Sequence, residues 1–141
     1  MTNSNKIENK NDNLKVVQDF YGALGKGDIP TVLSMITDDA EWDMPHPRNV
    51  VPFGGKWKGK EEVTKFFQVM HDTVQVKGFE LQEFLADKNK VIVIGKMKGV
   101  AISTGKEYEN DLVAVWTVEN GKIKGMRDFM DTVQGIDAFS S

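Results

Sequence analysis

Apolar residues recur three and four apart through the first half of the chain and at every second position through the rest, so it reads as helices followed by strands. Leu14, Val17, Phe20, Tyr21 and Leu24 form one helical stripe, which Gly25 and Gly27 end. Asp28 is placed to cap a second, shorter helix with Pro30 in its first turn and Val32, Leu33 and Ile36 on its buried side, stopping near Thr37. Ala40 to Met44 reads as a short strand, broken by Pro45 and Pro47 and followed by an irregular loop through Pro52, Gly54 and Gly55 of the kind that borders a site. A third helix opens at Lys58-Gly-Lys-Glu-Glu, carries Val63, Phe66, Phe67, Met70 and Val74 as an apolar stripe, and ends near Thr73. Strand alternation then covers Gly78 to Ala86, Lys90 to Ala101, Glu107 to Val118 and Lys122 to Asp131, with turn signals at Asp87-Lys-Asn, Ser103-Thr-Gly and Glu119-Asn-Gly. This predicts an antiparallel meander and an α+β fold, one curved sheet closing over helices packed on one face. A single domain is expected over residues 14–139, preceded by a frayed polar tail at 1–13, and no internal repeat is visible.

The last strand breaks its own pattern. Alternation puts Met126, Asp128 and Met130 on one surface and Arg127 and Phe129 on the other, so an acid stands where apolar side chains are expected. Two readings follow: a paired, structurally satisfied carboxylate, or a base in an apolar pocket where its pKa rises. Arg127 on the opposite face is expected to pair with Asp111 or with a neighbouring subunit, and Asp131 to pair or to cap the tail after the strand.

Composition narrows the chemistry. The chain has 141 residues, 40% of them hydrophobic and 28% charged, with a net charge of −3. That balance supplies no basic field for phosphates, so nucleic acid is not the expected partner. No apolar stretch approaches the roughly 18 residues a membrane span needs, and the polar start lacks an export signal, so no membrane association and a cytoplasmic location are expected. The absence of cysteine removes disulfides, thiol nucleophiles and zinc-thiolate sites. His46 and His71 alone do not make a zinc or iron site, and no glycine-rich phosphate loop is present, so neither a metal nor a nucleotide cofactor is expected.

The element order, with the Gly27-Asp28 turn, Asp38-Asp-Ala-Glu-Trp-Asp43, Gly59-Lys-Glu-Glu-Val63 and Asn120-Gly-Lys-Ile123, resembles the SnoaL-like branch of the NTF2-like superfamily over about residues 14–139. The resemblance implies an α+β cone: three N-terminal helices packed against a strongly curved, mainly antiparallel sheet that encloses an apolar pocket, with homodimers formed through the sheet's outer face. It also implies a small, mostly apolar ligand and no cofactor. Within that superfamily, Met44-Pro-His-Pro47, Thr104-Gly-Lys-Glu-Tyr108 and Gly121-Lys-Ile-Lys-Gly-Met-Arg-Asp128 are similar to limonene-1,2-epoxide hydrolase. By that likeness Asp128 matches the water-activating aspartate, Asp43 a water-orienting asparagine and Glu41 a tyrosine, while Tyr21, Leu24, Leu112 and Met130 match pocket positions. The hydrolase's Arg-x-Asp pair is missing, its places being held by Gly95 and Met97, and Lys96 and Lys98 point to the other face. The ketosteroid isomerase pattern also departs, with Met44 at the base position and Phe20 and Val113 or Ala114 at the donor positions.

The candidate catalytic residues are therefore Asp128, Asp43 and Tyr21. Asp43 and Asp128 would face each other across the cavity and share a proton or a water, and Tyr21 is either a proton donor or a satisfied core tyrosine. Trp42, His46, Met97 and Met126 join Leu24, Glu41, Leu112 and Met130 as candidate ligand-binding residues, His46 being either an acid or base over the pocket mouth or a solvated loop residue. The functions that fit are a cofactor-free isomerase, cyclase, dehydratase or hydrolase, a non-catalytic small-ligand binder, or a dimeric scaffold.

Overall fold

The computed structural model describes residues 10–141, and residues 1–9 of the expected tail lie outside the described residues. Helix α1 (Lys10–Gly25) starts earlier than the apolar stripe does. Asn13 in its first turn is 1% exposed and its amide donates to the Lys88 carbonyl at 3.1 Å, tying a polar residue of the expected tail to a distant turn. Helix α2 (Ile29–Ser34) is capped by Asp28, whose side chain accepts the Thr31 N–H. It stops before Thr37 because Ile123 N–H donates to the Met35 carbonyl at 2.8 Å and Ile36 already pairs with Ile123.

Strand β1 (Ile36–Met44) therefore begins before Ala40, and β2 (Gly55–Lys58) is a four-residue strand inside the expected loop, paired antiparallel to β1. Helix α3 (Gly59–Thr73) runs directly into β3 (Val74–Asp87), followed by β4 (Lys90–Ala101), β5 (Glu107–Glu119), β6 (Lys122–Met130) and a fourth helix, α4 (Thr132–Phe139). The sheet order is β2-β1-β6-β5-β4-β3. The run from β3 to β6 is the expected antiparallel meander, whereas β1 lies parallel to β6. Asn120 and Gly121, both at positive φ, make the tight turn between β5 and β6, the two-residue hairpin their sequence calls for. Register shifts in β3 between Val76 and Gly78 and between Leu81 and Glu83, and at Thr117/Val118, bend the sheet over the helices. The fold is α+β, as expected, with α2, β1 and β2 separating α1 from α3 and one helix at the C-terminal end.

The inner face of the sheet holds an aromatic core. Phe20 of α1 meets Trp116 of β5 at 5.1 Å between ring centroids, and Trp42 of β1 meets Trp116 at 5.8 Å and Phe67 of α3 at 5.9 Å. These edge-to-face contacts lock two helices to two strands by ring geometry as well as by buried area. Among the described residues no helix is long and apolar enough to cross a membrane.

Candidate functional site

Asp128 projects from β6 onto the inner face, as alternation requires. Its cross-strand partner is Ala114, a side chain too small to cover it, and Met126 and Met130 flank it on its own strand. No hydrogen bond or ion pair to its carboxylate occurs among the described residues, although protein encloses it and only part of it remains open to water. Loss of hydration in that setting pushes the carboxyl up to about 7, so it can hold or release a proton near neutrality.

Tyr21 of α1 is the second inner-face group. Its hydroxyl accepts a hydrogen bond from Trp116 Nε1 at 3.1 Å. Burial, then the negative charge of Asp128, hold the phenol well above its usual range, so it stays protonated with its O–H available to donate. Its ring packs edge-on against Trp116 at 5.3 Å and Phe84 at 6.3 Å, which fixes the hydroxyl's direction.

The structure does not bring Asp43 to Asp128. Trp42 faces inward at 1% exposure, so Glu41 and Asp43 on either side of it face outward. Asp43 pairs with Arg127 Nε at 3.7 Å, in register across the parallel β1–β6 pair. Both acids line an outer hollow of about 320 Å³ with Val115, Arg127 and Phe129, on the wrong side of the sheet to share a proton or a water with Asp128. Arg127 thus takes Asp43 rather than Asp111 and also stacks over Phe129 at 4.7 Å, while Asp111 takes Lys96 at 3.8 Å. Lys98 likewise pairs outside with Glu109 at 3.6 Å, so neither lysine replaces the missing arginine.

Met97, Leu112 and Met126 are buried on the inner face; Leu24 and Met130 are half-buried and pack against the same core. His46 is neither solvated nor at a mouth. It is 2% exposed, edge-on to Phe53 at 5.4 Å, and both ring nitrogens lack a partner. Burial lowers its pKa and keeps the ring neutral. Two glycines make room for it: a Cβ on Gly54 would collide with the His46 carbonyl oxygen, and a Cβ on Gly135 of α4 would stand 2.7 Å from Nε2. Gly54→Ala is expected to destabilise the protein by about 1–3 kcal/mol, since backbone rather than a flexible side chain must yield, and denaturant unfolding would measure it.

Two polar groups escaped the sequence reading. Tyr108 and Asn110 face inward from β5 at 5% and 2% exposure, and the Tyr108 hydroxyl and the Asn110 carbonyl oxygen have no partner. Strict alternation with Leu112 and Ala114 was the available signal. Among the described residues no group of three or more His, Asp or Glu side chains is arranged to hold a metal ion.

The family model for the SnoaL-like domain matches residues 17–126. The chain belongs to this SnoaL-like family. That match stops at Met126, just short of Asp128, so the carboxylate is read from this structure. The SnoaL-like chain is similar in structure to an NTF2-like protein from Burkholderia xenovorans, 29% identical, over 94% of this chain and 98% of that one, with a TM-score of 0.85. An NTF2-like protein of unknown function from Burkholderia pseudomallei is 26% identical over 92% of this chain and 98% of its own, TM-score 0.81. TerC, crystallised with polyporic acid, is 26% identical over 92% of this SnoaL-like chain and 99% of its own, TM-score 0.76.

Proposed function

We propose that this SnoaL-like protein is a cofactor-free proton-transfer enzyme acting on a small, mostly apolar carbonyl compound, with Asp128 as the base. The observation that carries the proposal is an unpaired carboxylate on a methionine-lined inner face, held near neutral pKa by burial. Asp128 as carboxylate takes a proton from carbon next to the substrate carbonyl, and the C–H electron pair moves into the C–C bond as the carbonyl oxygen becomes an enolate. The Tyr21 O–H, its oxygen already accepting from Trp116, donates to that oxygen. With a β,γ-unsaturated ketone Asp128 then returns the proton to the γ-carbon of the dienolate, which is isomerisation; with a second carbonyl in the molecule the enolate carbon attacks it and the new alkoxide takes the proton from Asp128, which is ring closure. TerC supports an organic small molecule as a ligand in this fold.

A homodimer through the outer sheet face belongs to the same reading. Phe129, 44% exposed, stands there beside the Arg127–Asp43 pair, an apolar centre with charged flanks.

The test is a panel of terpenoid, steroid and polyketide-fragment ketones and lactones incubated in deuterated water, with deuterium uptake at carbon read by mass spectrometry. Uptake above the buffer rate that is lost in Asp128→Asn is expected. Ligands that stabilise the wild type without exchanging any carbon-bound proton would instead make the protein a binding module.

A further inference from the structure

Two buried tryptophans use their indole N–H groups in contrasting ways. Trp57 Nε1 donates to the Phe53 carbonyl at 3.1 Å, four residues back in the chain, which satisfies the indole locally. Trp116, 3% exposed, donates instead to the Tyr21 hydroxyl at 3.1 Å, joining β5 to α1 across 95 residues. An indole N–H is a donor only, so this bond runs in one direction and the Tyr21 proton has to point elsewhere. The other rings around Tyr21, Phe79 at 6.1 Å and Phe84 at 6.3 Å, carry no lone pair, and among the described residues the Tyr21 O–H donates to no acceptor. The nearby charged group on the inner face is Asp128. Trp116 stands opposite Met126 and Ala114 opposite Asp128, so Trp116 and Asp128 are diagonal neighbours, a spacing of about 7–8 Å. The charge of Asp128 is accordingly felt at the Tyr21 phenol. Trp116 is itself held by Phe20 at 5.1 Å and Trp42 at 5.8 Å, so the direction of its N–H is set by packing.

We propose that Trp116 is a positioning residue for the reaction, its N–H fixing Tyr21 so that the phenol O–H is presented to the ligand's carbonyl oxygen and supporting the charge that builds on the phenol oxygen as the enolate forms. The first part is directional. With one side of the Tyr21 oxygen occupied by a group that cannot accept, the O–H is left for the ligand. The second part is electrostatic. Negative charge on the enolate oxygen draws the Tyr21 proton toward it and leaves the phenol oxygen more negative, and an N–H dipole already in place meets that charge without reorganising. No proton leaves Tyr21 for Trp116, and Trp116 touches no reacting atom, so its effect passes through Tyr21. The inference rests on the proton-transfer reading of Asp128 and Tyr21.

The test replaces Trp116 with β-(3-benzothienyl)alanine, which keeps the bicyclic shape against Phe20 and Trp42 and puts sulfur where the N–H was. Exchange of the α-protons of 2-tetralone in deuterated water is compared in wild type, this variant, Tyr21→Phe and the two combined. The sulfur analogue is expected to lower kcat about tenfold with KM near its wild-type value, and Tyr21→Phe to lower kcat about 100-fold. The combination should fall no further than Tyr21→Phe alone, because a residue acting through Tyr21 then has nothing left to act on. Full activity in the analogue, or losses that multiply in the combination, would overturn the role. A second measurement needs no turnover: 3,5-difluorotyrosine at position 21, which ionises at lower pH than tyrosine, is titrated by its absorbance in otherwise wild-type protein and in Trp116→Phe. Loss of the N–H should raise that ionisation by about one pH unit, and an unmoved titration would overturn the role. The shift without any exchange sinks the proton-transfer reading and upholds Trp116's hold on Tyr21, whereas exchange without the shift sinks the role of Trp116 alone.

Discussion

Asp128→Asn is expected to make the protein more stable and less active at once. In the unfolded chain the carboxyl titrates near 3.8, and in the folded chain near 7. Below 3.8 both states hold the proton and burial of charge costs nothing. Between 3.8 and about 7 the folded state keeps a proton that the unfolded state has lost, so stability falls as pH rises; above 7 the full penalty stands. Holding the carboxyl near 7 rather than 3.8 corresponds to an upper bound of about 4 kcal/mol, and water's partial access to the carboxyl brings the expected gain for Asn at pH 8 to about 2–3 kcal/mol. Urea unfolding at a series of pH values should show the wild type losing stability from pH 4 to 7 more steeply than the variant. Proton exchange on a substrate ketone should fall by about 10²–10⁴-fold in the variant. In the wild type that exchange should rise through pH 7 and level off as the base becomes fully ionised. A variant that loses activity without gaining stability would point to a paired, structurally satisfied aspartate.

The second large effect is expected at Phe20. Its ring is fully buried and touches Trp116, Trp42 and Phe67, with centroids 5.1, 6.2 and 6.4 Å away. Phe20→Ala leaves a cavity at the junction of α1, β1, α3 and β5 and should cost about 3–5 kcal/mol, visible as an early denaturant midpoint. The loss should reach the site as well, because Trp116 is both Phe20's neighbour and the donor to Tyr21. Phe20→Leu, which refills most of the volume, should recover most of the stability.

The parts of this molecule that were legible in its sequence are those governed by local rules. Alternation along β6 was enough to turn Asp128 inward, and Asn120-Gly121 was enough to place a hairpin turn. What escaped depends on partners far away in the chain. Asp43's outward direction was signalled locally by Ala40, Trp42 and Met44 on the inner face, but its pairing with Arg127 comes from the parallel register of β1 on β6, which nothing near Asp43 specifies. His46 is buried because Gly135, at the other end of the sequence, leaves room for its ring. Strand β2 is too short to show a period and opens at a positive-φ glycine. Helix α4 carries a glycine in its interior, which hides its pattern, although Asp131 does cap it by accepting the Val133 N–H at 3.0 Å.

The order of the strands also bears on how the protein behaves when crowded with copies of itself. With β2 at one end and β3 at the other, the sheet is open rather than closed into a barrel, and fourteen-residue β3 offers the longer template for another chain's backbone. Its exposed Val76, Phe79 and Leu85 would favour such growth. Register shifts on both sides of Phe79 interrupt the straight run a fibril needs, and the exposed charges of Lys77, Glu80 and Glu83 along the same strand would be stacked like upon like in any in-register polymer. The bends that curve the sheet over the helices therefore also act as a guard against amyloid-like growth.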